Sequence, residues 1–300
     1  MLTVTSLTKS YGDHVVVDDL TFVVPAGRVT GFVGPNGAGK STTMRMMVGL
    51  TRPDHGDVRY GDVPYHRLPR PGKVVGAALS AAAHPGRTAR DHLRSLAAAG
   101  DVPRSRIDEV LADVGLTGAA DQRVGGFSLG MGQRLALAAA VLNRPDVLLL
   151  DEPANGLDPD GIRWLRRFLR SYADAGGAVF VSSHLIAELS MFADDVVVIG
   201  GGRLLAAAPI DEIMQAGEPP VLVETPDAGD LCRLLEGNGL VVERTGHTVR
   251  ASGTTRSEVA QLALDHHLRL DRLTDEERSL EDILVDLTAH AADFASGSLR

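Results

Sequence analysis

The sequence predicts an α/β protein with a parallel sheet at its core and a smaller α+β domain towards its C-terminal end. Two short apolar runs predict the core, VTGFV at residues 29–33 and VLLL at residues 147–150. Each has the composition of a strand that is covered on both faces. The second domain is predicted by alternating strand-like and helix-like segments after residue 220. With 300 residues, of which 44% are hydrophobic, the chain is long enough to bury both cores.

Composition and charge exclude several classes of protein. A formal net charge of −9 argues against nucleic acid as the main partner, because a phosphate-binding surface needs a surplus of lysine and arginine. The single cysteine, Cys232, cannot form an internal disulfide, and the N-terminal segment lacks the pattern of a signal peptide. No apolar run reaches the roughly 18 residues of a membrane span. We therefore expect a cytoplasmic protein that reaches a membrane only through a partner.

Most other elements follow from periodicity and turn signals. Residues 1–27 alternate apolar and polar positions around Gly12 and Pro25, which predicts an antiparallel sheet that residues 51–65 complete. Residues 86–143 have a helical, Ala- and Leu-rich pattern. The segment 161–176 predicts a helix with its apolar residues on one face. Beyond residue 220, the order strand, helix, strand, strand, helix, strand is that of a ferredoxin-like unit.

A glycine-rich loop joins the first apolar run to a predicted helix. The pattern Gly34-x-x-x-x-Gly39-Lys40-Ser41 matches a phosphate-binding loop, in which Gly37 and Gly39 allow successive backbone N–H groups to point at one anion. The helix N-terminus adds a favourable dipole. Lys40 is one of three lysines among thirty basic residues, and its slim ammonium can reach between two phosphates. The predicted phosphate-contacting residues are Gly34, Pro35, Asn36, Gly37, Ala38, Gly39, Lys40, Ser41 and Thr42.

The second apolar run ends in two carboxylates, Asp151 and Glu152. Ligands of α/β folds bind at the carboxyl ends of the strands, and an unpaired buried carboxylate would be costly. We expect Asp151, through water, and the hydroxyl of Ser41 to hold Mg²⁺, and Glu152 to polarise an attacking water. An isolated acidic pair after a strand would more simply be a helix cap. The phosphate loop favours the catalytic interpretation.

These two motifs resemble the Walker motifs of the ATP-binding cassette (ABC) ATPases, and further segments follow in that family's order. FSLGMGQR at residues 127–134 is similar to the family signature, which implies that Ser128, Gly130 and Gln133 act on the nucleotide of a second subunit. NGLDP at residues 155–159 resembles the loop that contacts the opposite subunit, through Asp158. Together the motifs extend over roughly two-thirds of the chain, so the resemblance is specific.

The resemblance also assigns roles to two residues outside these segments. Tyr11 looks like the aromatic that stacks on adenine, although a lone tyrosine is as often an ordinary packing residue. VFVSSH at residues 179–184 ends in His184, which resembles the switch histidine that senses the γ-phosphate. The implied catalytic residues are therefore Lys40, Glu152 and His184, and the implied cofactors are ATP and Mg²⁺.

The family resemblance implies both an architecture and a function. We expect an ABC domain at residues 1–216, with a RecA-like core, an antiparallel β subdomain and a helical subdomain at about 86–143. An accessory α+β domain at residues 221–290 and a tail at 291–300 would follow. The expected function is that of the ATPase subunit of a membrane transporter. It would form a homodimer or a dimer with another cassette, sandwich two Mg-ATP head to tail and drive a separate transmembrane permease at the inner face of the membrane. The sequences of residues 84–93 and 152–170 are similar to those of cassettes from exporters of antibiotics and peptides.

Two positions depart from the family pattern. Leu129 stands where the signature usually has glycine. Residues 74–93, which correspond to a segment that normally carries a glutamine near the metal, contain none. Ser80 occupies the approximate position by spacing, and its shorter side chain could reach the metal site through a water. Thr88, three residues before Asp91, predicts the cap of the next helix.

Two alternative functions are considered. A cassette protein that acts on ribosomes or chromosomes would usually carry two sets of motifs or a long coiled coil, whereas this sequence has one set and no sustained heptads. A nucleotide-binding module without catalysis is suggested by the missing glutamine. The presence of Glu152 and His184 argues against the second alternative.

Overall fold

The computed structural model describes residues 1–80, 83–183, 189–215 and 219–276, together with residue 283. These residues divide into two compact units, with the boundary between Ile210 and Asp211. Within the described ranges, no helix is both long and apolar enough to cross a bilayer.

The first unit contains two sheets and a group of helices. Its strands are β1 (Leu2–Tyr11), β2 (His14–Val24), β3 (Val29–Val33), β4 (His55–Tyr60), β5 (Val63–Pro64), β6 (Val75–Ala78), β7 (Val147–Asp151), β8 (Ala178–Ser182), β9 (Asp195–Gly200) and β10 (Arg203–Pro209). Its helices are α1 (Lys40–Met47), α2 (Pro71–Val74), α3 (Ala89–Gly100), α4 (Ser105–Asp113), α5 (Leu129–Val141) and α6 (Pro159–Asp174). A short helix, α7 (Ile210–Gln215), begins at the last residue of this unit.

The antiparallel sheet predicted for the N-terminal region has the strand order β2-β1-β4-β5. It packs against the central sheet through a shared apolar core. In that core, the rings of Phe22 and Phe32 lie 5.5 and 4.8 Å, respectively, from the ring of Phe180, measured between centroids. Burial of each such side chain contributes about 1.5–3 kcal/mol, so this core fixes the two sheets against each other.

The central sheet has the order β10-β9-β3-β8-β7-β6. Its strands from β9 to β6 pair in parallel, and β10 adds an antiparallel edge. The two predicted apolar runs form β3 and β7, and β8 lies between them. Because the strands are parallel, the polar residues that follow β3, β7 and β8 gather at one edge.

The predicted helical region forms α3, α4 and α5. The hydroxyl of Thr88 accepts a hydrogen bond from the backbone N–H of Asp91 at 3.0 Å, which confirms the predicted cap at the start of α3. The helix α6 buries Leu165, Leu169 and Ala173 on one face, as its periodicity predicts.

The second unit contains β11 (Val221–Glu224), α8 (Ala228–Gly237), β12 (Val241–Thr245), β13 (Thr248–Ser252), α9 (Arg256–Asp265) and β14 (Arg272–Asp275). The sheet order β12-β13-β11-β14, with every pair antiparallel, is that of a ferredoxin-like unit. Thr255 and Glu258 form a capping box at the start of α9. The closing helix predicted near residues 279–290, apart from residue 283, and the tail at 291–300 lie outside the described residues.

Candidate nucleotide site

The phosphate loop joins β3 to α1 and depends on the conformation of Gly39. This residue caps α1 with φ 101°, in the left-handed region that glycine adopts without penalty. A Cβ atom there would lie 2.6 Å from the carbonyl oxygen of Val16, so a larger residue has no room. The backbone N–H and the hydroxyl of Thr43 both donate to the Gly39 carbonyl at 2.9 Å. These bonds fix the loop at the point where the helix begins.

Lys40 is folded into the loop that precedes it. The residue is 8% exposed, and its Nζ donates to the carbonyl oxygens of Gly34 at 2.6 Å and Pro35 at 3.2 Å. Burial lowers the pKa of the ammonium, while the nearby carboxylates of Glu152 and Asp151 act in the opposite direction. The positive charge is therefore held in place by neutral carbonyls, in a position where an anion in the loop would meet it.

Two serines hold the carboxylate of Asp151 and the backbone of Glu152 at the end of β7. Ser41 donates to Oδ2 of Asp151 at 2.8 Å, and Ser182 donates to Oδ1 at 2.6 Å. The same Ser182 hydroxyl accepts the backbone N–H of Glu152 at 2.9 Å. Glu152 has φ 50°, a left-handed conformation that costs a non-glycine residue roughly 1–2 kcal/mol. Hydrogen bonds thus fix both the carboxylate of Asp151 and the backbone that carries Glu152.

These groups surround an open cavity of about 450 Å³. It is lined by Val16, Asn36, Gly37, Gly39, Lys40, Ser41, Thr42, Leu79, Gln133, Asp151, Glu152 and Asn155. Three loop residues that do not line the cavity, Gly34, Pro35 and Ala38, help to fix the shape of the loop. A Cβ at Gly34 would lie 2.3 Å from the carbonyl oxygen of Ile199, and the Pro35 carbonyl accepts the N–H of the buried Ala38 at 3.2 Å. The cavity therefore joins a phosphate-binding loop to Asp151, the predicted Mg²⁺ ligand, and to Glu152, the predicted catalytic carboxylate.

The signature segment lies at the start of α5. Ser128 is exposed and caps this helix, accepting the N–H of Met131 at 3.2 Å. Of the three predicted signature residues, Gln133 lines the cavity of its own chain, whereas Ser128 and Gly130 are not among the lining residues. Gln133 lies almost one turn after Gly130 on the same helix face, the face that packs along residues 156–157. The signature pattern predicts a role for Gln133 only at the nucleotide of a second subunit.

Asp158 caps α6 in its own chain. Its carboxylate accepts the N–H of Gly161 at 2.7 Å, and the residue is exposed. The exposed helix starts at Ser128 and Asp158 thus flank the loop that carries Asn155.

Two other predicted residues lie apart from the cavity lining or outside the described part of the chain. Tyr11 ends β1 with 54% exposure, and its ring centroid lies 5.4 Å from Nζ of Lys9. Among the described residues, Val16 is the residue of the antiparallel sheet that reaches the cavity. His184 lies outside the described residues.

Spacing predicts that Ser80 lies approximately where the missing glutamine would be. Ser80 lines a separate cavity of about 180 Å³ beside α3 and α5. The preceding residue, Leu79, lines the nucleotide cavity instead. Both residues follow β6 directly and line different cavities, so a shift of one position in the spacing exchanges the two cavities. Of these two neighbours, the one that lines the nucleotide cavity is therefore apolar.

Two polar site residues were missed by the sequence analysis. Ser182 ends the apolar strand β8, and Asn155 is the first residue of the NGLDP segment. A single polar residue at the end of a buried strand is the signal that could have identified Ser182, because it resembles the position of Asp151 in β7.

The loop, the carboxylate pair and the cavity define an ATPase of the phosphate-loop class. Residues 17–155 match the family described as ABC transporter, and residues 219–281 match a domain of unknown function (DUF8746). The bacitracin transport ATP-binding protein BcrA of Bacillus licheniformis is 34% identical over 292 residues, which cover 94% of this chain and 95% of that protein. The lantibiotic transport ATP-binding protein SrtF of Streptococcus pyogenes is 34% identical over 70% of this chain and 92% of its own length.

Solved structures agree with this assignment. An ATP-binding subunit of an ABC transporter has a TM-score of 0.65 and 27% identity, covering 72% of this chain and 92% of its own. The dimeric cassette MJ0796, at 23% identity over 70% of this chain and 99% of its own, has a TM-score of 0.64 and shares the fold. The chain belongs to the ATP-binding proteins of ABC transporters. It binds adenine nucleotide and is an ATPase.

Proposed function

We propose that this chain is the ATPase subunit of an exporter of antibiotics or peptides, and that a separate permease holds it at the inner face of the membrane. The observation that carries this proposal is the similarity to BcrA along 94% of the chain, which includes the C-terminal unit as well as the cassette. If the chain shared only its catalytic motifs with BcrA, the similarity would not be expected to extend into the C-terminal unit.

The proposed mechanism uses the residues that line the cavity. The loop N–H groups and the ammonium of Lys40 hold the phosphates, and they oppose the negative charge that develops during transfer. Glu152 orients the attacking water, with its backbone fixed by Ser182. His184 would sense the γ-phosphate, and Tyr11 offers an exposed ring on which adenine could stack.

Mg²⁺ fits the chemistry of two of these residues. Ser41 and Asp151 offer a hydroxyl and a carboxylate that are already 2.8 Å apart, and oxygen atoms of this kind are the ligands that Mg²⁺ prefers. We assign them as the groups that hold the ion, in the case of Asp151 through water. When bound, Mg²⁺ neutralises charge on the phosphates.

A head-to-tail dimer would use the two exposed helix starts. Ser128 and Gly130 begin α5, and the unpaired N–H groups of a helix start attract phosphate. Because neither residue lines the cavity of its own chain, we assign them to the nucleotide of a second cassette, with Asp158 at the same interface. The partner would be a second copy of this chain or another cassette.

The catalytic part is tested by Mg²⁺-dependent phosphate release from the purified chain. Glu152→Gln is expected to reduce release at least a hundredfold while ATP binding is retained, and ATP should then convert the variant to a dimer in light scattering. Glu236→Gln, an exposed change in the second unit, serves as the matched control. Equal rates in Glu152→Gln and the wild type would support the non-catalytic module instead.

The transport part is tested in cells that express the chain with a candidate permease. We expect increased resistance to bacitracin or to a lantibiotic, and loss of that resistance with Glu152→Gln. A pull-down that returned ribosomes and no membrane protein would favour the ribosomal alternative.

A further inference from the structure

Leu129, the departure from the signature pattern, lies directly on Gly156. The leucine is 60% exposed at the first position of α5, yet one side of it is in close contact with the NGLDP segment. A Cβ atom built on Gly156 would lie 2.3 Å from Cδ2 and 2.4 Å from Cγ of Leu129. We call this arrangement the Leu129–Gly156 contact. The leucine at one position requires the absence of a side chain at the other.

The backbone of α5 also approaches the same loop. A Cβ on Gly130 would lie 3.0 Å from the carbonyl oxygen of Gly156 and 3.3 Å from Cδ2 of Leu157. The two adjacent residues 129 and 130 are therefore packed against residues 156–157, which have little room to move closer to the helix start. Gly156 itself has φ 77°, which glycine adopts freely.

The NGLDP loop is connected to the backbone of Glu152 at one end and to Asp158, at the proposed dimer interface, at the other. The N–H of Asn155 donates to the Glu152 carbonyl at 3.2 Å, and Asp158 caps α6 two residues after Gly156. A displacement of residues 156–158 would therefore be passed to the backbone next to Glu152. The contact with Leu129 connects that short segment to Ser128.

We propose that Leu129 is a positioning residue that fixes the NGLDP loop to the start of α5, so that Ser128 and Asp158 face the second cassette as one surface. This inference rests on the dimer of the proposed function. It gives the third signature position a role that the usual glycine, which has no side chain, cannot fill. Hydrophobic burial is a minor part of that role, because more than half of the leucine surface is exposed.

The test uses the full chain and exploits the steric match. Gly156→Ala introduces the clash, and Leu129→Gly in the same chain removes it. Gly176→Ala is the matched control, because Gly176 is also left-handed, with φ 97°, and has no atom within 4 Å of a built Cβ. For each variant, kcat, the Hill coefficient for ATP, the affinity for ADP and the urea midpoint are measured. Leu129→Met is the conservative replacement.

We expect Gly156→Ala to lower kcat at least tenfold with ADP affinity changed by less than threefold, and Leu129→Gly to recover at least half of that loss. Leu129→Gly alone should move the Hill coefficient towards one, and Leu129→Met should keep it near the wild-type value. Gly176→Ala should stay within twofold of wild type. A double variant as slow as Gly156→Ala, or an equal loss in Gly176→Ala, would overturn the proposal.

Failure of the dimer would be recognised separately. If Glu152→Gln bound ATP but remained monomeric, the proposed dimer would be wrong. The effect of the contact on Glu152 would still be judged by recovery of kcat in the double variant. If that recovery occurred without any cooperativity in the wild type, the loop would act within one chain, and the part of this proposal that concerns a shared interface would be rejected.

Discussion

Removal of the Ser182 hydroxyl should release the carboxylate of Asp151 and the backbone N–H of Glu152 from strand β8. Strand β8 lies between β3, which leads into the phosphate loop, and β7, which carries the carboxylates. Because β3 and β7 are two strand spacings apart, about 10 Å, Asp151 reaches towards Ser41 across the end of β8. Ser182 lies at that end, fully buried, and uses its one donor and one of its acceptor positions.

The magnitude follows from the two bonds that Ser182→Ala deletes. A hydrogen bond to a charged carboxylate contributes about 1.5–3 kcal/mol, and an N–H left without a partner costs about 1–3 kcal/mol where it is buried. Glu152 is only partly buried, and Asp151 keeps its bond to Ser41, so the full sum is not reached. We expect the free energy of unfolding to fall by about 2–4 kcal/mol. A tenfold fall in kcat would correspond to about 1.4 kcal/mol of lost transition-state stabilisation.

Urea unfolding followed by circular dichroism measures the first effect, and phosphate release at saturating ATP measures the second. The Mg²⁺ concentration for half-maximal activity should also rise, because the carboxylate of Asp151 is then less constrained. Ser182→Thr, which keeps the hydroxyl, is the matched control and should retain most of the activity. The reasoning would be refuted if Ser182→Ala unfolded within about 0.5 kcal/mol of wild type and kept its kcat.

Three further changes test other parts of the site. Lys40→Ala should weaken ATP binding at least a hundredfold in a fluorescent-nucleotide assay, while the urea midpoint changes little, because the loss of two hydrogen bonds to carbonyls is offset by relief of the cost of burying the ammonium, the cost that lowers its pKa. Leu79→Gln should lower the Mg²⁺ concentration for half-maximal hydrolysis at least threefold, and an unchanged value would show that this position is remote from the ion. Burial, together with the charge of Arg87, lowers the pKa of His92, which has an unpartnered Nδ1. Protonation therefore favours the unfolded chain, so the melting temperature should fall as the pH drops below about 6.5. His92→Leu should reduce that fall, and an identical pH profile would contradict the assignment.

Local patterns were sufficient to predict the antiparallel sheet, β3, β7, the phosphate loop and the ferredoxin-like unit, whereas β6, β9 and β10 were not predicted. The loop depends on conformations that glycine alone adopts easily, so Gly39 is recognisable from neighbouring residues. Alternation and turn residues likewise specified β1, β2 and the elements after residue 220. These features depend on short stretches of chain, so the residue types in those stretches are enough to predict them.

Positions set by packing between distant segments were harder to predict. Leu79, and not Ser80, lines the nucleotide cavity. The two positions differ by one residue after β6, and spacing to a family pattern cannot resolve a difference of one residue. The contribution of Gln133 to its own cavity depends on how α5 lies along residues 156–157, and nothing in the signature segment encodes that contact. Ser182 is part of the VFVSSH segment, but its partner, Asp151, lies in the neighbouring strand β7.

The hydrogen bonds that hold the carboxylate of Asp151 join residues that are far apart in the sequence. Ser41 and Asp151 are separated by 110 residues, and Asp151 and Ser182 by 31 residues. Both bonds require β3, β8 and β7 to be paired in register, and Asp151 pairs directly with Ser182 in the parallel ladder. The entropy of closing such loops is recovered only when the sheet between them forms. A partly folded chain could therefore present the glycine loop without the carboxylates, and the capacity to hydrolyse ATP should appear together with the central sheet rather than with the loop.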